Sequence, residues 1–231
     1  MIRIQNVTAL IIKQLKDTLK NPPILMLFFV FPCISLVMGQ AMKAEAGVQE
    51  IFLSIFATMH CVFTPIATSA TMIAEEKETN TLRVLILSNV SLREYILSLG
   101  SFILAADLIT ACAFLIQTGG GAADILQFLL SSALGCLISI VVGVCAGLYA
   151  KNAGAATGLA VPLGMVFSFL PMMAHFNSGL MTFSQFIFGQ QVSFLLSGKA
   201  ITFQGAIVLL VNIAVFAVLS TFLYRKTLKE E

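Results

Sequence analysis

Long apolar runs separated by short polar segments dominate the sequence. Six of these runs, residues 24–42, 51–73, 95–117, 125–149, 153–174 and 200–224, come close to or exceed the roughly 20 residues that a helix needs to cross a bilayer. In the hydrocarbon core the backbone must satisfy its own hydrogen bonds, which a helix does. The pattern therefore predicts an all-α membrane protein with six transmembrane helices, forming a single domain over residues 1–231.

The first polar segment, residues 2–20, has the pattern of an amphipathic helix. Apolar residues recur at helical spacing from Ile4 to Leu19, and Lys13, Lys16 and Lys20 lie on the opposite face. A basic polar face opposite an apolar one is typical of a helix that lies in the membrane interface. A surface helix packed on protein is the alternative. Asn21 and the two prolines after it should end the helix, because proline cannot continue the hydrogen-bond ladder.

Residues 176–198 are apolar but differ from the spans in length. Two short apolar pieces flank Gly189-Gln190-Gln191, and neither is long enough to cross a bilayer. This pattern predicts a re-entrant or interfacial hairpin on the outer side, immediately before the last span.

Basic residues are distributed unevenly between the two ends of the predicted spans. If the N-terminus is inside, eleven of the 13 lysine and arginine residues fall in inner segments, and only Lys43 and Lys199 fall in outer ones. This positive-inside bias predicts that both termini are cytoplasmic, as in a multi-pass protein of the bacterial inner membrane.

Composition excludes several classes of function. The chain is 58% hydrophobic and 10% charged, against about 25% charged residues in a typical soluble domain. The five cysteines fall inside apolar runs and lack metal-ligand spacing. We therefore expect no metal site, no nucleic-acid partner and no catalytic residues in this chain, which is not expected to be an enzyme.

The stretch between the second and third spans is the most informative. Its acids are Glu75, Glu76 and Glu78, and the apolar face that follows consists of Leu82, Leu85 and Ile86. Acids complement the dipole at a helix N-terminus, so the pattern predicts a short helix within residues 75–91. Ser91-x-x-Glu94 then fits a capping box that opens the third span. A helix between two spans can transmit force from a soluble partner, and an ordinary interfacial loop is the alternative.

The same stretch resembles the signature of the type-2 ATP-binding-cassette (ABC) exporter permeases, E-x-E-x-x-T-L-x-x-L-L-x-x-P-[VIL]-[ST]-x-x-E. The matching positions are Glu76, Glu78, Thr81, Leu82, Leu85, Ile86, Val90, Ser91 and Glu94. Arg83 stands where an acid is common, Asn89 where proline is usual, and Leu99 where a lysine often ends the signature. The order of interfacial helix, six spans, coupling helix and external hairpin is also similar to that family.

This resemblance implies partners. In such permeases a separate cytoplasmic ATPase dimer binds ATP and Mg²⁺ and docks against the coupling helix, and a second permease copy completes a homodimer or heterodimer. The sequence contains no G-x-x-x-x-G-K-[ST], so ATP hydrolysis would occur on another polypeptide. Glu75, Glu76, Glu78 and Thr81 would belong to the coupling site, and the apolar face around Leu82 and Leu85 is expected to contact the ATPase.

Two polar residues inside predicted spans are candidates for a pathway or gate. An ionisable residue such as Asp107, near the middle of the third span, should face protein or water rather than lipid. His60 lies in the second span. Either residue could contact substrate or make a structural hydrogen bond between helices. The function expected from the resemblance is export of an amphipathic or hydrophobic substrate such as a peptide, drug or lipid. Asp107 also leaves open a secondary transporter that is driven by an ion gradient. A non-transporting scaffold or immunity protein is the other alternative.

Overall fold

The computed structural model describes residues 3–41, 47–88, 90–118, 121–174 and 176–230, with side chains up to residue 224. Lys43, which was assigned to an outer segment, and Asn89 of the signature lie outside the described residues.

Helices make up nearly all of the described residues, which include no β-strand. In chain order the helices are α1 (Ile4–Lys20), α2 (Pro22–Ala41), α3 (Val48–Glu78), α4 (Thr81–Leu87), α5 (Leu92–Thr118), α6 (Ala122–Tyr149), α7 (Ala153–Ala174), α8 (Ser178–Ser184), α9 (Phe188–Leu196) and α10 (Phe203–Glu230).

Six of these helices, α2, α3, α5, α6, α7 and α10, are long and apolar enough to cross a membrane. The prediction of an all-helical, multi-pass membrane protein is therefore confirmed. The main difference lies in the second span, which was predicted over residues 51–73. Helix α3 continues to Glu78 and so includes the acidic residues that were expected to begin a separate helix.

Helices α3 and α6 form the centre of the bundle and make its most extensive helix–helix contact. Gly143 and Gly147 of α6 face α3 directly. A Cβ at Gly143 would overlap Ser69 Oγ, and a Cβ at Gly147 would lie 2.8 Å from the carbonyl oxygen of Ala70. Small residues four apart allow this close approach, which is how helices associate in bilayers. The similar pair on α7, Gly154 and Gly158, is exposed and packs on no other helix within the described residues.

Helix α1 exposes part of its apolar surface. Leu10, Gln14 and Thr18 are buried against the rest of the protein, and Leu10 packs in the core. Ile4 is 81% exposed and Leu19 is 60% exposed. The interfacial helix and the surface helix therefore both stay predictions.

The segment predicted as a hairpin consists of the two short helices α8 and α9. The side chain of Asn177 caps α8 by accepting hydrogen bonds from Gly179 N at 2.9 Å and Leu180 N at 3.4 Å. Helix α9 packs among α3, α6, α7 and α10. Its Gly189 lies against the carbonyl oxygen of Phe167, where a side chain would not fit.

Candidate functional site

Helix α4 is a short connector between two span-length helices. Helix α3 ends at Glu78, α4 occupies Thr81–Leu87, and α5 begins at Leu92. Asn80 makes the turn into α4 with a φ of 56°, a left-handed conformation that asparagine tolerates better than most residues. We call this region, where α1 and α4 meet the ends of α3 and α6 and the starts of α5 and α7, the α4 end of the bundle.

The two faces of α4 have different environments. Leu82 is fully buried in a core cluster of the bundle, against which Leu85 and Ile86 also pack. Val84 is 58% exposed and Leu87 is 79% exposed. Leu82 is therefore not accessible to a partner protein in this conformation, and Leu85 and Ile86 are partly buried, so the expected contact of this face with an ATPase stays a prediction. The most exposed apolar residues of α4 are Val84 and Leu87.

The acidic residues occupy a different position from the one predicted. Glu75, Glu76 and Glu78 form the last turn of α3, and the first turn of α4 contains no acid. A helix C-terminus disfavours negative charge, so these carboxylates need partners of their own. Those partners come from α1, from Asn21 between α1 and α2, and from the start of α7.

Two of the acids connect α3 to the N-terminal part of the chain. Glu76 Oε1 forms an ion pair with Lys13 of α1, and Glu75 Oε1 accepts a hydrogen bond from Asn21 Nδ2 at 3.1 Å, between α1 and α2. Burial lowers the pKa of the Lys13 ammonium, but Glu76 and Asp17 outweigh it and hold that pKa above its ordinary value. Lys13 is therefore charged at neutral pH, and the ion pair persists there.

The next two residues connect α3 to the turn between α6 and α7. Lys77 Nζ donates to the carbonyl oxygens of Leu148 at 2.8 Å and Ala150 at 2.6 Å, where α6 ends. A cation satisfies the free carbonyls of a helix C-terminus and complements its dipole. Glu78 Oε2 accepts a hydrogen bond of 2.9 Å from Ala153 N, the first residue of α7. An anion at that helix start is the complementary arrangement.

Glu94 connects the start of α5 to α1. Its carboxylate accepts a hydrogen bond from Ser91 N at 2.9 Å, and Ser91 Oγ accepts one from Glu94 N at 3.2 Å. The geometry is that of the capping box expected from Ser91-x-x-Glu94. The same carboxylate also accepts a hydrogen bond of 2.6 Å from Arg3 N and one of 3.4 Å from Asn6 Nδ2. Both helices that flank α4 are therefore connected to α1.

Taken together, these contacts make the α4 end a junction. A displacement of α4 would act on α3 and α5, and through them on α1 and on the α6–α7 turn. A cavity of about 320 Å³ lies between α1 and the α3–α4 turn, lined by Lys13, Asn21 and Glu76 among others. Thr81 also lines this cavity, and its hydroxyl lies 2.9 Å from that of Thr79 across the turn.

Asp107 and His60, which are 47 residues apart, lie side by side within the bundle. His60 Nε2 is 3.3 Å from Asp107 Oδ1, 3.2 Å from the Asp107 carbonyl oxygen and 3.1 Å from Thr110 Oγ1. The Thr110 hydroxyl is also placed to donate to backbone oxygens of its own helix, which leaves its lone pair to accept from His60 Nε2. The Cys136 thiol of α6 lies beside the carboxyl group.

This cluster is enclosed. Asp107 is 0% exposed and His60 is 1% exposed, so in this conformation neither side chain reaches a surface where a substrate could bind. Apart from the Cys136 thiol, which is a weak donor, no described group donates to the carboxyl oxygens with good geometry, and His60 Nδ1 likewise has no described partner. The geometry supports a polar contact that joins α3, α5 and α6.

Several residues of the junction were not identified from the sequence. Lys13, Asn21 and Lys77 have contacts that depend on long-range packing, which no local pattern contains. Val84 and Leu87 could have been found, because residues three apart share a helix face and these two lie opposite Leu82.

Comparison with known proteins identifies no family for the chain. No family model matches it, and no curated protein matches it.

Proposed function

We propose that this chain is the membrane permease subunit of an ATP-driven ABC exporter. A separate ATPase subunit would bind ATP and Mg²⁺ in the cytoplasm and dock on α4, and a second permease copy would complete the transport path. The chain itself would do no chemistry. Helix α1 would lie in the membrane interface, α4 would act as the coupling helix, and α8–α9 would form the re-entrant external hairpin.

The observation that supports this proposal most strongly is the pair of environments around α4. Its inner face is part of the core, and its outer face presents Val84 and Leu87 at the α4 end. The most closely spaced charged residues of the sequence, at 75–78, lie beside them. A coupling element needs an outward contact for a partner and a rigid connection to the spans. The ion pair of Glu76 with Lys13 and the hydrogen bonds of Lys77 and Glu78 supply that connection.

Orientation and partners follow from the same proposal. In this proposal the chain lies in a bacterial inner membrane with the α4 end and both termini in the cytoplasm, an orientation that the positive-inside bias favours. The exposed small residues Gly154 and Gly158 of α7 would allow a second copy to approach closely. Walls rich in Phe, Met and Leu suit an amphipathic or hydrophobic substrate such as a peptide, drug or lipid.

A secondary transporter is the second candidate function, and the observation that favours it is the adjacent pair of Asp107 and His60. A carboxyl group that bound a transported proton or cation would need access to water in at least one state. Burial of both side chains in this conformation is the argument against it.

The test uses the outer face of α4. The tagged chain is coexpressed with each candidate ABC ATPase subunit of its own organism and purified in mild detergent, with Val84→Asp and Leu87→Asp combined in one variant. Both side chains are exposed, so the bundle should fold normally, whereas a charge in a desolvated contact costs several kcal/mol. We expect ATPase recovery to fall at least tenfold.

The matched control is Ser88→Asp, which adds a negative charge at an exposed polar residue at the end of the same helix. This variant should recover the ATPase at close to the wild-type level. Wild-type recovery with the double variant would refute the coupling role of α4 and favour the scaffold alternative.

A further inference from the structure

A groove opens on the side of the bundle near the α4 end. It has a volume of about 450 Å³ and lies between α5, α6 and α10. Its inner wall includes Ile140, Val141 and Val144, and Leu97, which is 48% exposed, forms part of its rim. A pocket of this size is within the range of about 300–1,000 Å³ that holds small ligands.

The groove has few polar side chains. They are Arg93, the second residue of α5, and Ser220, Thr221 and Tyr224 of α10. Ser220 Oγ donates to the carbonyl oxygen of Ala217 at 2.9 Å, which leaves its lone pairs directed elsewhere. Among the side chains that the structure describes, no acidic residue lines the groove.

Arg93 differs from Lys13 and Lys77, which are paired within the chain, and from the exposed Lys16, Lys20, Arg83 and Lys151, which do not line the groove. Lys13 is paired with Glu76 and Asp17, and Lys77 donates to backbone carbonyl oxygens. Arg93 is exposed and has no hydrogen bond or ion pair among the described side chains. A guanidinium group presents five donors in a fork that matches a phosphate group.

A second groove adjoins the first and is also apolar. It has a volume of about 410 Å³, runs along α10 beside Val218 and Phe222, and shares Thr221 with the first groove. Val218 is 71% exposed and Phe222 is 67% exposed. Helix α10 is long and apolar enough to cross a membrane, and in a bilayer these exposed positions would face the acyl chains, so that both grooves would open sideways toward lipid.

We propose that the two grooves bind one anionic phospholipid from the leaflet at the α4 end of the bundle. Its phosphate lies at Arg93 and Tyr224, one acyl chain fills the groove between α5, α6 and α10, and the other follows α10. Charge complementarity at Arg93 selects an anionic headgroup, and the apolar walls select a lipid over a soluble anion. The site does not depend on whether the chain couples to an ATPase.

The experiment uses the absence of tryptophan from the sequence. A single tryptophan is introduced as Leu97→Trp at the rim of the groove, and the full chain is reconstituted in phosphatidylcholine vesicles. Dibrominated phosphatidylglycerol or dibrominated phosphatidylcholine is then added as quencher. We expect the anionic lipid to bind about fivefold more strongly than phosphatidylcholine. This ratio corresponds to the attraction of about 1 kcal/mol between one basic residue and an anionic lipid surface.

Variants distinguish the effect of the Arg93 charge from an effect of misfolding. Arg93→Gln should remove the preference, Arg93→Lys should retain it, and Arg83→Gln on the outer face of α4 should leave it unchanged. A reference tryptophan, Ile116→Trp, lies near the other end of α5 at a position 76% exposed and should show no preference. If the Leu97 variant does not fold, Val218→Trp in the adjoining groove reports on the same lipid.

Three results would overturn the proposal. The first is equal quenching by the two lipids at the groove, and the second is a preference that survives Arg93→Gln. The third is loss of quenching by phosphatidylglycerol when millimolar inorganic phosphate is added, which would assign Arg93 to a free anion. Quenching that is unchanged by inorganic phosphate and lost with Arg93→Gln supports the lipid site.

Discussion

Replacing Gly143 by alanine tests the packing at the centre of the bundle. The added Cβ would lie 2.5 Å from the carbonyl oxygen of Ile66 and would overlap Ser69 Oγ. Contacts of this kind rarely fall below 3.4 Å, so α6 would have to move away from α3 by about 0.9 Å unless the neighbours yield. The serine can rotate, but the backbone oxygen of Ile66 cannot.

The expected cost follows from two opposing effects. Overpacking a core costs roughly 1–3 kcal/mol, whereas alanine gains about 1 kcal/mol over glycine in helix propensity. Because a backbone atom blocks the new methyl group, we expect a net loss of about 1–2 kcal/mol. On the scale of proteins of 150–250 residues, that loss lowers the melting temperature by about 2–8 °C.

Buried thiols provide the assay. The exposed Cys33 and Cys112 are replaced by serine, and a thiol-reactive fluorescent dye then reports unfolding through the buried Cys61, Cys136 and Cys145. The dye signal is followed during heating in detergent, and the melting temperature is compared with that of the same background without the glycine substitution.

Gly158→Ala is the matched control, because a Cβ at Gly158 has no described atom within 4 Å. Its melting temperature should be unchanged or higher, and any effect should appear in the oligomeric state by size exclusion. A melting temperature for Gly143→Ala equal to that of the control would refute the packing argument.

Three further predictions follow from the contacts described above. Asp107→Asn should lower the melting temperature by no more than about 4 °C and preserve most transport, because the amide has the volume of the carboxyl group, whose oxygens lack strong hydrogen-bond donors. Loss of transport in a folded variant would favour the secondary transporter. Glu94→Ala should speed hydrogen exchange of the α1 amides several-fold, since it removes the acceptor of Arg3 N, and unchanged exchange would contradict that role. When a membrane-impermeant maleimide is added from outside, a single cysteine at Lys199 should be labelled and a single cysteine at Thr79 should not. The reverse labelling pattern would show that the predicted orientation is inverted.

The six spans could be predicted because their signal is local. Apolar length alone identifies a segment that must be helical in a bilayer, and the short polar turn at Lys151-Asn152 correctly separates α6 from α7. Asn152 also caps α7, since its Oδ1 accepts a hydrogen bond of 2.8 Å from Ala155 N. Both signals are complete within a few residues of sequence.

The candidate site was only partly predictable, because its decisive contacts are long-range. The acids before α4 were assigned to a helix start on a dipole argument, but Lys13 and Ala153 N allow them to end α3 instead. The apolar face of α4 was identified correctly, yet only the fold shows that Leu82 faces the core. The contact between His60 and Asp107 has no sequence signal, since 47 residues separate them.

Site-specific photo-crosslinking from the outer face of α4 tests the central claim most directly. A benzoylphenylalanine residue is placed at Leu87 or, as the matched control, at Leu130, which is 62% exposed within the span-length helix α6. The full chain is irradiated in native membranes, and adducts are identified by mass spectrometry. The proposal predicts an adduct between Leu87 and a protein with a Walker A motif, and no such adduct from Leu130. Absence of an ATPase adduct at Leu87, with the chain present at normal levels, would contradict the assignment of α4 as a coupling helix.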